Sequence, residues 1–243
     1  MNPTSLSLLL GLVAALANVF GGAFLVQRTW ERRYLKYFMA LGAGFMLATA
    51  IVEMVPASVR EGGPKAGFVI LLGYLLIHFV EHTVTPHFHF GEETHPEEFE
   101  HGHRSISVLV GLLIHTFFDG IAIASGFLVS PWLGWIIFVA VFVHKIPEGF
   151  TITSVMLASG RSRLTSWGAS ALLGAATFAG VLVMTMTQHA VSFGLPISAG
   201  VTIYVAATDI MPEVNHEPGV KMALLVFVGV ALLFLFDRLF HLH

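Results

Sequence analysis

Cysteine is absent from the sequence, and charged side chains are scarce. Without thiols the chain cannot form disulfides, thiolate metal sites or redox-active dithiols. Charged residues make up 11% of the 243 residues and apolar residues 56%, whereas a soluble domain averages about 25% charged and about 45–50% apolar residues. So few charges cannot cover a water-exposed surface of this size. The composition therefore excludes an ordinary soluble globular protein and a disordered chain.

Basic character is also lacking. The formal net charge is −3 and no segment forms a basic face, so we expect no binding to nucleic acid. A mean hydropathy of +0.80 favours a helical membrane protein with several spans. Histidine, by contrast, is abundant, with 13 residues against 12 lysines and arginines together. This ratio is the first functional indication in the sequence.

Apolar runs of roughly 20 residues, the length that crosses a bilayer, occur repeatedly along the chain. They predict an all-α integral membrane protein with eight transmembrane helices in a single domain, residues 1–243. One long polar connection, residues 87–105, interrupts them. The spans are predicted at residues 4–26, 37–59, 67–86, 106–129, 133–158, 166–187, 196–214 and 221–240.

Lysine and arginine are distributed unevenly between the two sides of these spans. Cytoplasmic loops carry the excess of such residues, so the richer side is expected to face the cytoplasm, with both termini on the outer side. The poorer side has Arg60, Lys65 and Arg238. The richer side has Arg28, Arg32, Arg33, Lys36, Arg104, Arg161, Arg163 and Lys221.

Two short patterns indicate an internal repeat. The sequence Glu-Met-Val-Pro at 53–56 ends the second span, and Asp-Ile-Met-Pro at 209–212 ends the seventh, which is expected to run in the opposite direction. The pattern favours a 3+2+3 arrangement of inverted repeats. Secondary transporters often have such repeats, with the substrate site near the midplane. Chance similarity of two short patterns is the alternative.

The fourth and fifth spans each carry a histidine followed four residues later by an acid: His115 and Asp119, and His144 and Glu148. On a helix this spacing puts both side chains on one face, roughly 6 Å apart along the axis. Ionisable groups at this depth face an interior or a wet cavity. A divalent cation would satisfy all four groups, and nitrogen and oxygen ligands suit zinc, ferrous iron, manganese or cadmium and disfavour cuprous ion. The alternative is a hydrogen-bonded cluster that only joins the helices.

These motifs resemble the paired signatures of the ZIP (Zrt-, Irt-like) metal transporters. The similarity includes the eight-span plan, the His-rich loop, and the segments 44–48 and 209–213. The resemblance implies import of zinc or another divalent metal as a transported substrate, without enzymatic activity or a catalytic cofactor. It also implies a set of metal ligands in the spans: His115, Asp119, His144, Glu148 and, from the second span, Met46.

The resemblance also exposes one departure from the family pattern. Many bacterial members build a second, adjoining metal site from residues that follow each motif histidine and from a sixth-span glutamate. The matching positions here are Thr116, Lys145 and Thr177, which are poor ligands while the lysine is protonated. The departure predicts one metal rather than two, with the Lys145 ammonium as a substitute for the second cation. The alternative is that Lys145 pairs elsewhere.

Acids and histidines near the span ends suggest an entrance and an exit, because carboxylates near an opening raise the local cation concentration. Solvation of helix ends is the alternative. The candidates are Glu53 at the outer side, and His78, Glu81, His82, Asp209 and Glu213 at the inner side.

The polar loop adds a chelating tract, which is expected to capture or sense metal weakly. Its histidines are His87, His89, His95, His101 and His103. A merely solvated loop is the alternative.

Two other function classes stay open at this point. One is a membrane-embedded hydrolase that uses bound zinc to activate water; the other is a metal-gated channel or receptor. The expected partners are divalent metal ions and the lipid bilayer, with a homodimer left open. The compact chain suggests the inner membrane of a bacterium, or otherwise a plasma membrane.

Overall fold

The computed structural model describes residues 2–27, 32–83, 102–216 and 219–240, and these are almost entirely helical, with no strand among them. Within this part of the chain there are ten α-helices: α1 (Pro3–Gln27), α2 (Arg32–Ala48), α3 (Val55–Gly62), α4 (Ala66–Thr83), α5 (Gly102–Val129), α6 (Pro131–Ala158), α7 (Arg163–Met186), α8 (Val191–Tyr204), α9 (Met211–His216) and α10 (Val220–Phe240). Short 3₁₀ turns at Gly63–Lys65 and Gln188–Ala190 join some of them. The all-helical class predicted from the sequence is confirmed.

Seven helical stretches in the described ranges are long and apolar enough to cross a membrane, whereas the sequence predicts eight spans. The difference lies in the stretch Lys36–Thr83, which has 48 residues and includes both the second and the third predicted span. As a straight helix it would be about 72 Å long, more than twice the roughly 30 Å of a bilayer core. Gly63 interrupts it with φ of 61°, a left-handed conformation that glycine adopts without steric cost.

Two predicted boundaries differ from the structure. The helix of the seventh predicted span begins at Val191 rather than at residue 196, and Pro196 lies inside it. A proline inside a helix removes only one backbone donor, and here the helix continues on both sides of it. The polar loop was predicted to extend to residue 105, but α5 already begins at Gly102.

Two helices widen into π-helical turns. One turn, Thr49–Met54, joins α2 to α3, and the other, Val205–Ile210, joins α8 to α9. Each is followed by a proline, Pro56 or Pro212. Proline cannot donate to the carbonyl four residues earlier, and its ring clashes with that group. A turn bonded over five residues accommodates it, and such turns occur often at functional sites.

The helix packing repeats itself within the chain. At several glycines a Cβ atom would overlap the backbone carbonyl oxygen of a neighbouring helix, so the helices touch backbone to backbone. Positions 156 residues apart make equivalent contacts, and Glu53 and Asp209 have the same separation. The contacts are Gly44 with Val226 and Gly200 with Ile70, and Gly229 with Leu41 and Gly73 with Ile197.

A second set of matched contacts surrounds α5 and α6. Here α1 packs on α6 as α7 packs on α5. The equivalent contacts are Gly149 with Asn18 and Gly120 with Thr177, and Gly21 with Ile146 and Gly180 with Phe117. The four helices α1, α5, α6 and α7 therefore form one bundle, and α2 packs against it on the side of α6.

Candidate metal centre

A tight hairpin sets α5 against α6. Ser130 alone separates the two helices; its side chain accepts a hydrogen bond from the Leu133 N–H at 3.1 Å and caps α6. Pro131 follows at the first helical position, where its missing N–H costs nothing. Gly126 and Gly134 let the helices approach closely beside the turn. The hairpin brings the two histidine-acid motifs to the same depth in the bundle.

All four motif side chains meet at the α5–α6 contact, and each is buried. The His144 Nε2 atom lies 3.2 Å from Asp119 Oδ2. The His115 Nε2 atom lies 3.4 Å from Glu148 Oε1 and 3.6 Å from Asp119 Oδ2. One ligand atom from each residue falls within 4.8 Å of all the others. Zinc ligands about 2.1 Å from a tetrahedral ion are about 3.4 Å apart, so these side chains need little movement to bind one ion.

Backbone contacts orient one of the imidazoles. The His144 Nδ1–H donates to the carbonyl oxygen of Ala140, at 2.9 Å. This bond selects the tautomer whose Nε2 carries the lone pair, and that atom faces Asp119. Metal-ligating histidines commonly have such a partner on the second ring nitrogen.

Two polar atoms of this cluster find no hydrogen-bond partner among the residues that the structure describes. The Nε2 atom of His115 and the Oδ1 atom of Asp119 are both buried and unpaired. A buried polar atom without a partner costs about 1–3 kcal/mol. A cation bound between the four side chains would satisfy both atoms, whereas a cluster that only joins two helices would gain nothing from leaving them unpaired.

Lys145 contacts both carboxylates rather than one. Its Nζ atom lies 2.5 Å from Glu148 Oε2 and 2.6 Å from Asp119 Oδ2, and it donates to Thr116 Oγ1 at 3.3 Å. The Thr116 hydroxyl in turn donates to Glu148 Oε1. The lysine is fully buried. Its three donors are used within the cluster, and its single charge offsets part of the charge of the two acids.

The other residues named for the central region are also buried. Thr177 donates its hydroxyl to the Leu173 carbonyl oxygen at 3.4 Å, within its own helix. Met46 lies in the largest apolar cluster of the protein. Gly42, one turn before Met46, packs against Val143 and His144. Ligation by Met46 therefore stays a prediction.

The predicted entrance and exit residues lie apart from this cluster. Glu53 is partly exposed on the first π-helical turn, and Asp209 is buried on the second. Glu81 contacts Tyr204 and Asp209, beside the exposed His78 and His82. The described residues do not include His87, His89, His95 or His101, and for His103 and Glu213 they include only the backbone.

Sequence reasoning missed two buried polar residues. Asn18, in α1, has both amide atoms buried, without a hydrogen-bond partner in the described part of the chain. A polar residue within an apolar run was the available signal. Tyr204, in α8, donates its hydroxyl to Glu81 at 2.8 Å. No local pattern marks that tyrosine, because its partner is distant in the sequence.

Comparison with known proteins shows where this arrangement belongs. The family model described as "ZIP Zinc transporter" matches residues 3–108 and 91–237. The chain is 24% identical over 262 residues to zinc transporter ZIP9-B of Xenopus laevis, covering 87% of this chain and 86% of that protein. It is 25% identical over 260 residues to zinc transporter ZIP9 of Micropogonias undulatus, covering 84% and 83%. A shorter match, 28% over 154 residues, covers 57% of this chain and 46% of zinc transporter ZIP13 of Pongo abelii. Because the family model spans nearly the whole chain, this protein belongs to the ZIP zinc transporter family.

Proposed function

We propose that this protein imports a divalent metal ion, with zinc as the first candidate, through the centre formed by His115, Asp119, His144 and Glu148. The observation that carries the proposal is this buried cluster of two imidazoles and two carboxylates, with its unpaired His115 and Asp119 atoms. Membership of the family supports transport. A membrane-embedded hydrolase is disfavoured, because the relatives named above are zinc transporters.

We assign the chain eight membrane crossings, with both termini on the outer side. The stretch Lys36–Thr83 is too long for one crossing and is interrupted at Gly63, so we assign it two. The matched contacts of α2 with α10 and of α8 with α4 support two inverted repeats of three helices around the α5–α6 hairpin. The hairpin carries the metal ligands, as expected for a substrate site between repeats.

Lys145 acts in this proposal as a tethered cation. Its contacts with both carboxylates support a single metal ion at the centre, because a fixed ammonium repels a second dication. Glu53 serves as an entrance group and Asp209 as an exit group at opposite ends of the protein. The loop histidines are proposed to capture metal in the cytoplasm, and Met46 to complete the ligand set.

Purified protein in proteoliposomes tests the central proposal. Wild-type protein should take up zinc. Replacing His115, Asp119, His144 or Glu148 singly by alanine should reduce uptake at least about tenfold, since each change removes a ligand. His189→Ala is the matched control, because His189 is exposed and lies outside the cluster. Near-normal uptake by two or more of the ligand variants would refute the shared site.

The membrane and the oligomeric state follow as further proposals. We place the protein in the inner membrane of a bacterium, or otherwise in a plasma membrane, and leave a homodimer as the assembly to be tested by mass measurement in detergent.

A further inference from the structure

The charged groups of the candidate centre do not cancel one another. Asp119 and Glu148 each bring a carboxylate, and the single ammonium of Lys145 lies 2.6 Å from Asp119 Oδ2 and 2.5 Å from Glu148 Oε2. The imidazoles are neutral in the form that ligates a metal. Two carboxylates and one ammonium leave the empty centre with one net negative charge. A bound divalent ion turns this into one net positive charge.

The ammonium is held in place by more than the two acids. It also donates to Thr116 Oγ1 at 3.3 Å, and the Thr116 hydroxyl donates to Glu148 Oε1. An ammonium has three N–H donors, so these contacts use all of them. The Lys145 side chain is 0% exposed. No donor is left for solvent, and the charge therefore belongs to the centre with and without a metal ion.

The three charged groups also stay together when helices of the transporter move. Asp119 lies on α5, whereas Lys145 and Glu148 lie on α6. Ser130 alone separates these two helices, and they are in close contact at glycines beside the turn. A rearrangement that moves the hairpin therefore carries the ammonium along with both acids.

The net charge of the centre matters twice in each transport cycle. A carrier opens its site to the two sides of the membrane in turn, so the centre changes sides once with the ion and once without it. The cost of a net charge in a low-dielectric interior rises with the square of that charge. Without an ammonium the loaded centre would have no net charge and the empty centre two negative charges, so the empty return would be the difficult step. With Lys145 each half of the cycle involves one net charge.

From this balance we propose that Lys145 is the counter-ion with which the empty centre returns, so that net uptake needs no metal ion carried outward in exchange. The inference rests on the proposed transport function and deepens it, because it assigns the return step to a residue. A lysine that only joins two helices has a different consequence. Its loss would slow net uptake and metal exchange by the same factor, whereas loss of a counter-ion slows net uptake selectively.

The ratio of exchange to net uptake tests the proposal in proteoliposomes that contain the full chain. Entry of radioactive Zn²⁺ is measured into vesicles that are metal-free or preloaded with Zn²⁺, with potassium and valinomycin holding the membrane potential at zero. For wild-type protein the two rates should agree within about threefold, since both forms of the centre carry one net charge. Lys145→Met, purified and reconstituted with zinc that is then removed, should raise the ratio of exchange to net uptake at least about tenfold.

Two further variants separate charge from shape. Lys145→Arg keeps the positive charge and should keep the wild-type ratio of exchange to net uptake. Lys65→Met is the matched control, because Lys65 is an exposed lysine outside the centre, and it should leave both rates unchanged.

The proposal would be overturned by a wild-type ratio in Lys145→Met, or by preloaded zinc that accelerates wild-type uptake at least about tenfold, since the empty return would then be slow despite the lysine. If Lys145→Met gives no transport in either mode, the wild-type comparison decides. Absence of zinc uptake by wild-type protein into both kinds of vesicle would overturn the transport function itself, and the return step with it.

Discussion

At the scale of single residues, Lys145 distinguishes the candidate metal centre. Its ammonium contacts Asp119 Oδ2 and Glu148 Oε2 at once, inside the bundle and shielded from water. A buried ion pair is weak evidence for stability in itself, but removing one partner leaves the other charge uncompensated, at a cost of about 3–5 kcal/mol. Lys145 therefore stabilises the metal-free form of the candidate centre, in which its ammonium supplies the counter-charge for the two carboxylates.

Lys145→Met tests this role at the same scale. In the absence of metal the variant should be less stable than wild type by about 3 kcal/mol or more, because the two acids lose their counter-charge. Zinc should restore more stability to the variant than to wild type, since the ion supplies the missing charge. Thermal unfolding in detergent, with and without zinc, measures both quantities.

The control for this prediction is Lys65→Met, at an exposed lysine beside the turn after α3; it should change neither quantity. Equal stabilisation by zinc in wild type and in Lys145→Met would contradict the proposed role. Two zinc ions bound per wild-type chain in the region of α5 to α7, with the loop histidines removed, would contradict the single-metal centre.

At the scale of elements, glycines determine how closely α5 and α6, which carry the candidate metal centre, approach their neighbouring helices. Gly120 on α5 and Gly149 on α6 each follow a ligand acid, and each packs on a carbonyl oxygen of the outer helix of its pair. Backbone atoms cannot turn aside as a flexible side chain can. The position of Asp119 and Glu148 thus depends on the contacts of α5 with α7 and of α6 with α1.

Gly120→Ala should destabilise the protein and displace Asp119, because the new Cβ atom would overlap the Thr177 carbonyl oxygen. Overpacking of this kind typically costs about 1–3 kcal/mol. Unfolding and zinc affinity measured on the same preparation should both weaken. Gly168→Ala is the matched control in α7, since a Cβ there meets nothing within 4 Å, and it should be neutral or stabilising by about 0.5–1 kcal/mol. An equal response of the two variants would refute this account of the packing.

At the scale of the whole molecule, the fold is a bundle of α1, α5, α6 and α7 bordered by α2 to α4 and α8 to α10. The four residues of the candidate metal centre all belong to α5 and α6 of the bundle, whereas both π-helical turns belong to the bordering helices. The matched glycine contacts run through both groups. The matched contacts therefore extend through the described helices and are not confined to the motifs.

Deleting residues 90–100, which lie between α4 and α5, should leave the maximal rate of zinc uptake mostly unchanged. The metal centre and its supporting helices lie outside the deleted segment. The apparent affinity for zinc or its regulation by cytoplasmic metal should change. The reason is that the deletion removes His95, one of the five loop histidines of the predicted chelating tract. Uptake over a range of zinc concentrations separates the two effects. Complete loss of uptake by a normally inserted variant would place the loop on the transport path.

The helical class of the protein and the four residues that meet in the candidate centre follow from local sequence patterns. Apolar runs and the spacing of His115 with Asp119 and of His144 with Glu148 are local patterns, and helix geometry converts them directly into faces and depths. The repeated acid and proline at 53–56 and 209–212 were visible for the same reason. The predicted seventh span begins at residue 196, whereas α8 begins at Val191 and passes through Pro196.

Which distant residues meet depends on how the helices pack against one another. Lys145 was expected near Glu148, three residues away on its own helix, but its contact with Asp119 on α5 depends on the hairpin. Tyr204 and Glu81 are 123 residues apart in the sequence, and their contact with Asp209 follows from α4 lying along α8. Sequence periodicity specifies which face of a helix is polar. Which other helix covers that face depends on the packing of the whole chain, where close backbone contacts at a few glycines select one arrangement.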